Sequence, residues 1–106
     1  MTTYEALRSL CLYPIPQAVL ENCCEEAGLE NAEATLQVRA SRAYLHAKAL
    51  VFRWLSVAPK VNEDGVSYEF TDKQRADFAN KADAIEEKLG IENAEQEDYG
   101  YKGEFL

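Results

Sequence analysis

The stretch ATLQVRASRAYLHAKALVFRWLS, residues 34–56, decides the fold of this chain. It contains no proline, glycine or acidic residue, and most of its residues are the good helix formers Ala, Leu, Arg and Lys. The composition therefore predicts one long central helix over 33–57. At about 1.5 Å per residue, the quoted stretch would span about 35 Å, the width of a small domain.

Helical spacing puts apolar residues on two sides of this predicted helix. The side predicted to be buried contains Leu36, Ala40, Ala43, Ala47, Leu50 and Trp54. A second line, spaced by seven residues, contains Val38, Leu45 and Phe52. A helix with two apolar sides is usually central to a core or shared with a partner chain. Because a small chain has little material to cover both sides, the second line is predicted to contact another molecule.

Charge is distributed unevenly along the chain. Arg39, Arg42 and Arg53 form a basic stripe between the two apolar sides, and residues 34–62 contain five Lys or Arg and no acid. Residues 92–106 contain five acids and one lysine. This asymmetry predicts contact between unlike surfaces, with the arginine stripe as the candidate surface for an acidic partner in the same chain or in another copy.

Length and composition limit the classes of protein that this chain can represent. The chain has 106 residues, 47% of them hydrophobic, which predicts a single domain with a real core. The net charge of −8 disfavours a nucleic-acid binder that works through phosphate contacts. No apolar run has the length of a membrane span, so no membrane contact is expected. The three cysteines are odd in number and two are adjacent, which favours free thiols in a reduced intracellular setting.

The sequence contains little that predicts catalysis. His46 is the only histidine, and no Ser or Cys stands at a recognisable spacing to act as its nucleophile. Neighbouring acids such as Glu25 and Glu26 diverge on a helix, and the five glycines form no phosphate-binding loop. The lone histidine and the absence of a Cys-x-x-Cys pair also argue against a zinc site. We therefore predict a protein that is not an enzyme and that holds no cofactor or metal.

The fold predicted from the remaining segments is mainly α, with four helices near 3–10, 16–27, 33–57 and 72–89. A β-hairpin before the last helix is predicted from Asp64-Gly65, with Val66, Tyr68 and Phe70 on one side of its second strand. A two-stranded hairpin is marginal alone, so it must lie on the helices or pair with a neighbour. Thr71-Asp72-Lys73-Gln74 is a capping box that starts the last helix.

The C-terminal residues are predicted to be separate from the helical domain. Residues 1–91 contain the predicted helices, whereas residues 92–106 are acidic, contain two glycines and have no helical period. This pattern predicts an extended, flexible tail. Its aromatic residues Tyr99, Tyr101 and Phe105 are candidate anchors on a neighbouring molecule. A purely solvating tail is the alternative.

The order of elements resembles that of the head–tail connector proteins of tailed phages and prophages, also called adaptor or head-completion proteins. The resemblance rests on YPIPQAVLENCCEEAGL, RASRAYLHAKALVFRWL and EDGVSYEFTDKQRADFANKADAIEEKLG, and it covers most of residues 12–90. It implies a homo-oligomeric ring between the portal protein and a stopper or tail protein. DNA would pass through such a ring without sequence-specific binding, and the protein would belong to the virion or the host-cell cytoplasm.

Under this interpretation the interface residues are the line Val38, Leu45 and Phe52, the hairpin residues Val66, Tyr68 and Phe70, the arginine stripe, and the tail aromatics. The sequence leaves open one hypothesis from another class. A small acidic helical regulator or inhibitor that binds a single partner protein would have similar composition. The two differ in oligomeric state, since a connector forms a ring and a regulator is a monomer or dimer.

Overall fold

The computed structural model describes residues 1–91 as a mainly helical fold with one β-hairpin before the last helix. The predicted tail, including Tyr99, Tyr101 and Phe105, lies outside the described residues. The helices and strands, in chain order, are α1 (Thr3–Arg8), α2 (Gln17–Ala27), α3 (Leu36–Arg39), α4 (Arg42–Leu55), β1 (Val61–Glu63), β2 (Val66–Tyr68) and α5 (Asp72–Leu89).

The predicted long helix is divided into α3 and α4, and serine and threonine caps are the reason. Ser41 has extended backbone angles, and its hydroxyl accepts a hydrogen bond from the Tyr44 N–H at 3.3 Å while donating to the Val38 carbonyl at 2.6 Å. Thr35 caps α3 by accepting from the Val38 N–H at 3.1 Å. Short polar side chains that hydrogen-bond the nearby backbone compete with helix continuation. The prediction of one unbroken helix over 33–57 is therefore corrected.

The break also changes which residues are buried. Leu36 is 87% exposed and Ala40 is exposed, whereas both were predicted to be buried. Trp54 is only partly buried. The buried residues of α4 are Tyr44, Ala47, Ala49, Val51, Phe52 and Leu55. They fall on two sides of α4 because α2 covers one side and α5 covers the other.

The core between α1, α2 and α4 contains the most deeply buried side chains. Leu7, Leu20, Val51 and Leu55 are fully buried, together with Cys24. The N-terminus is held to the segment before α3 by backbone hydrogen bonds, from the Thr3 N–H to the Ala32 carbonyl at 2.8 Å and from the Ala34 N–H to the Met1 carbonyl at 2.9 Å. The buried side chains of α1, α2 and α4 belong to one continuous core, which also includes Tyr13 and Ile15 of the α1–α2 connection.

The hairpin has the predicted two-residue turn. β1 and β2 are antiparallel, with Val61 opposite Tyr68 and Glu63 opposite Val66. Asp64 and Gly65 both have positive φ, at 53° and 78°. Positive φ at both central residues defines a type I′ turn, which matches the natural twist of a hairpin and favours Asp-Gly.

Both ends of α5 agree with the sequence prediction. Thr71 accepts a hydrogen bond from the Gln74 N–H at 3.1 Å, and the Gln74 side chain accepts from the Thr71 N–H at 2.8 Å. The helix ends at Gly90, whose φ of 73° is left-handed. α5 packs along α4, and a groove lined by both helices lies between them.

Candidate interaction surfaces

The hairpin is the first candidate surface. Val66 is 49% exposed, and within residues 1–91 the outer edge of each strand has no strand partner. The end of β2 packs against the chain's own core, because Phe70, two residues after it, stacks on Tyr13 of the α1–α2 connection with ring centroids 5.2 Å apart, and Tyr68 meets the same ring edge-on at 6.4 Å. Of the three predicted hairpin contacts, Val66 is therefore the accessible one. Tyr68 and Phe70 are partly buried against the core.

The predicted line Val38, Leu45 and Phe52 does not form one continuous surface. Val38 lies on α3 and Leu45 on α4, and both are half-buried. Phe52 is only 7% exposed, and its ring stacks on Phe78 of α5 with centroids 6.0 Å apart. Because α5 covers this side of α4, Phe52 belongs to the chain's own core. Val38 and Leu45 are therefore the residues of this line that remain partly open to a partner.

Each arginine of the predicted basic stripe has a partner within the chain. Arg39 donates to the Ala34 carbonyl at 3.1 Å. Arg42 donates to the Leu89 carbonyl at 2.5 Å and so joins the start of α4 to the end of α5. Arg53 donates to the carboxylates of Asp83 and Glu86 on α5. Within residues 1–91, Arg53 is therefore the arginine of the stripe whose charge is compensated, whereas Arg39 and Arg42 are hydrogen-bonded to neutral carbonyls.

Arg53 forms a cluster with two carboxylates of α5, and helical periodicity did not predict this cluster. Its guanidinium donates to Asp83 and Glu86 of α5, both at 2.6 Å, and the Glu86 side chain is only 10% exposed. Burial lowers the pKa of Arg53, but the hydrogen bonds to Asp83 and Glu86 outweigh it, so the net pKa is raised. The carboxylates lie 30 and 33 residues away in sequence, so helical periodicity alone could not pair them with the arginine.

A groove between α4 and α5 is the second candidate surface, and we call it the lysine groove. It encloses about 370 Å³ and is lined by Lys48, Phe52, Lys81, Ala84 and Ile85. The Lys81 ammonium lies 5.5 Å from the centroid of the Phe52 ring. Neither lysine belongs to an ion pair among residues 1–91. The groove therefore combines an apolar floor with uncompensated positive charge.

A second groove lies at the C-terminal end of α4, around Trp54. It encloses about 540 Å³, and its walls are mostly aromatic or proline side chains, including Tyr13, Pro14 and Pro59. Trp54 meets the Tyr13 ring edge-on at 5.8 Å. Sequence spacing gave no signal for this groove, because its walls come from the α1–α2 connection, α4 and the start of the hairpin.

Among residues 1–91, no three His, Cys, Asp or Glu side chains are placed so that they could hold one metal ion. The three cysteines are free thiols. Cys24 is fully buried on α2, and burial raises its pKa to about 11, with the neighbouring Cys23 thiol adding to the effect. A thiol held protonated in this way is a weak nucleophile.

The raised pKa of Cys24 predicts that stability decreases at alkaline pH. In the unfolded chain the thiol titrates near pH 9, so its contribution to stability is complete below that pH and is lost as pH rises towards about 11. We expect the wild type to be more stable than Cys24→Ala at pH 8 and this advantage to shrink by pH 11. Urea unfolding of both proteins across that range measures it. Because tyrosines titrate in both, the difference between the curves isolates Cys24, and a constant difference would contradict the prediction.

Comparisons with protein-family models, with curated proteins and with solved structures give no match. Among residues 1–91, none of the helices has the length and apolar character that crossing a bilayer requires. The functional interpretation therefore depends on the sequence resemblance and on the surfaces described above.

Proposed function

We propose that this chain is a structural subunit of a tailed phage or prophage particle, and that it forms a ring between the portal and the tail or stopper protein. The observation that carries the proposal is the partly exposed hairpin. Strands with unpaired edges can pair with a neighbouring chain, which is a common mode of assembly. The order of helix, central helix, hairpin and closing helix agrees with the family that the sequence resembles.

The distribution of exposed apolar residues supports contacts of the ring type. A ring needs two different surfaces on each subunit, one for each neighbour. Leu36, at 87% exposure, lies before the start of α4, whereas Val57 and Val66, at 73% and 49%, follow its end. These positions are separated by α4, which is about 21 Å long at about 1.5 Å per residue. Exposed apolar side chains at both ends of one helix suit a head-to-tail arrangement.

The overall charge suits a channel through which DNA passes. The chain carries a net charge of −8, and a negatively charged wall repels the phosphate backbone. The proposal therefore includes no sequence-specific DNA contact and no catalytic role. It assigns the chain to the virion, or to the host-cell cytoplasm before assembly.

Light scattering and negative-stain microscopy of the full chain, alone and with the portal protein encoded in the same genome, test this proposal. We expect closed rings, and we expect Val66→Lys to reduce ring formation because it places a charge on the apolar side of β2. Ser67→Lys is the matched control, since Ser67 is exposed on the opposite side of the same strand. A chain that stays monomeric with and without the portal would overturn the proposal and favour a small acidic regulator.

A further inference from the structure

We infer that the lysine groove between α4 and α5 receives residues 92–106 of a second copy of this chain. The inference rests on the proposed self-assembly, and it deepens that proposal by naming the donor segment and the acceptor surface. It also replaces the arginine stripe as the acceptor. Arg53 is ion-paired with Asp83 and Glu86, and Arg39 and Arg42 each donate to a backbone carbonyl of their own chain. Lys48 and Lys81 form no ion pair within residues 1–91, and unlike Arg39 and Arg42 they line an apolar groove.

Charge complementarity supports this assignment. The groove presents two lysines on a floor made by Phe52 and Ile85. The segment ENAEQEDYGYKGEFL, residues 92–106, has five acids and one lysine, with two tyrosines, a phenylalanine and a leucine among them. The acids of this segment would pair with the two lysines, and its apolar side chains would cover Phe52 and Ile85. The Trp54 groove has an apolar floor as well, but its charged residues, Arg8 and Glu63, are opposite in sign.

Geometry favours a second copy over the same chain. α5 ends at Leu89, and Ala84 and Ile85 lie about one turn before that end, so a segment of the same chain would have to double back. Its acids would then run past Glu87 and the negative end of the α5 dipole, which is unfavourable. A segment from a neighbour can enter the groove without that passage. The eight residues after Ile91, up to and including Tyr99, span up to about 26 Å when extended, which is longer than α4.

Site-specific crosslinking of the full chain tests the inference. Tyr101→p-benzoylphenylalanine places a photoreactive group in the donor segment, and a mixture of unlabelled and ¹⁵N-labelled chains separates the two routes. We expect crosslinks from position 101 to the peptides around Lys48 and Lys81, joining one light and one heavy chain. Crosslinks confined to one chain would show docking within the subunit and overturn the inference. Crosslinks to the Trp54 groove or the arginine stripe, or none at all, would overturn it too.

Charge reversal provides the matched controls. Lys48→Glu with Lys81→Glu should lower the crosslink yield by about tenfold, whereas Lys60→Glu with Lys73→Glu changes net charge equally at exposed sites outside the groove and should leave the yield unchanged. Adding Glu97→Lys and Asp98→Lys to the groove variant should restore the yield. The double variant Lys48→Gln with Lys81→Gln removes both charges without reversing them and should lower the crosslink yield by less. It replaces the charge-reversed variant if that variant does not fold. Equal losses in the groove and control variants would contradict the assignment.

The outcomes distinguish this inference from the proposed function. Rings that form while position 101 crosslinks elsewhere would leave the proposed function intact and remove the lysine groove from it. Crosslinks between copies at the lysine groove, in a protein that forms dimers and no ring, would support the docking of residues 92–106 and contradict the proposed ring.

Discussion

Tyr13→Ala is expected to lower the free energy of unfolding by about 3–5 kcal/mol, as for other large-to-small changes at buried aromatic residues. Tyr13 is 4% exposed and lies in the connection between α1 and α2. Its ring contacts Trp54, Tyr68 and Phe70, with centroids 5.8, 6.4 and 5.2 Å away. Removing the ring therefore takes away the surface on which the hairpin lies.

The Tyr13 hydroxyl provides a matched control. It donates a hydrogen bond to the Pro59 carbonyl at 2.6 Å, just before β1. Tyr13→Phe keeps the ring and removes only this bond, which should cost about 1 kcal/mol. Urea unfolding measures both variants, and amide exchange of residues 61–68 reports on the hairpin. Equal costs for the two variants would mean that the ring contacts contribute little and that the hairpin is held in another way.

Arg53→Ala is expected to cost about 3 kcal/mol, because removing one partner of a buried ion pair leaves the other charge buried without compensation. Glu86, whose side chain is 10% exposed, would lose its guanidinium partner at 2.6 Å. Asp83→Ala should cost less, within about 1 kcal/mol, because the Asp83 side chain is 53% exposed and water can replace the pairing.

A double-mutant cycle with Arg53→Ala and Glu86→Ala measures the coupling free energy between the two residues. We expect the double variant to be less destabilised than the sum of the single variants, since removal of both charges leaves none buried alone. Thermal unfolding at low and high salt completes the test. Additive costs would show that Arg53 stabilises α4 and α5 by contacts other than this ion pair.

Local signals explain the elements that the sequence predicted well. The bounds of α5 follow from a capping box at Thr71 and a left-handed glycine at Gly90, which depend only on neighbouring residues. The hairpin turn follows in the same way from Asp64 and Gly65. Ser41 is also a favourable N-cap residue, but it stands among good helix formers, so the sequence did not predict the break between α3 and α4.

The sequence alone determined the mainly helical class, the type I′ hairpin before the last helix and the caps of α5, because each depends on residues a few positions apart. Only the tertiary structure decided which side of α4 is covered. Periodicity identified two apolar sides, but burial depends on where α2 and α5 lie, and this is why Phe52, predicted to contact another molecule, is in the chain's own core. The ion pairs of Arg53 with Asp83 and Glu86 likewise depend on the packing of α4 against α5, two helices far apart in sequence. The same packing places Lys48 and Lys81 in one groove.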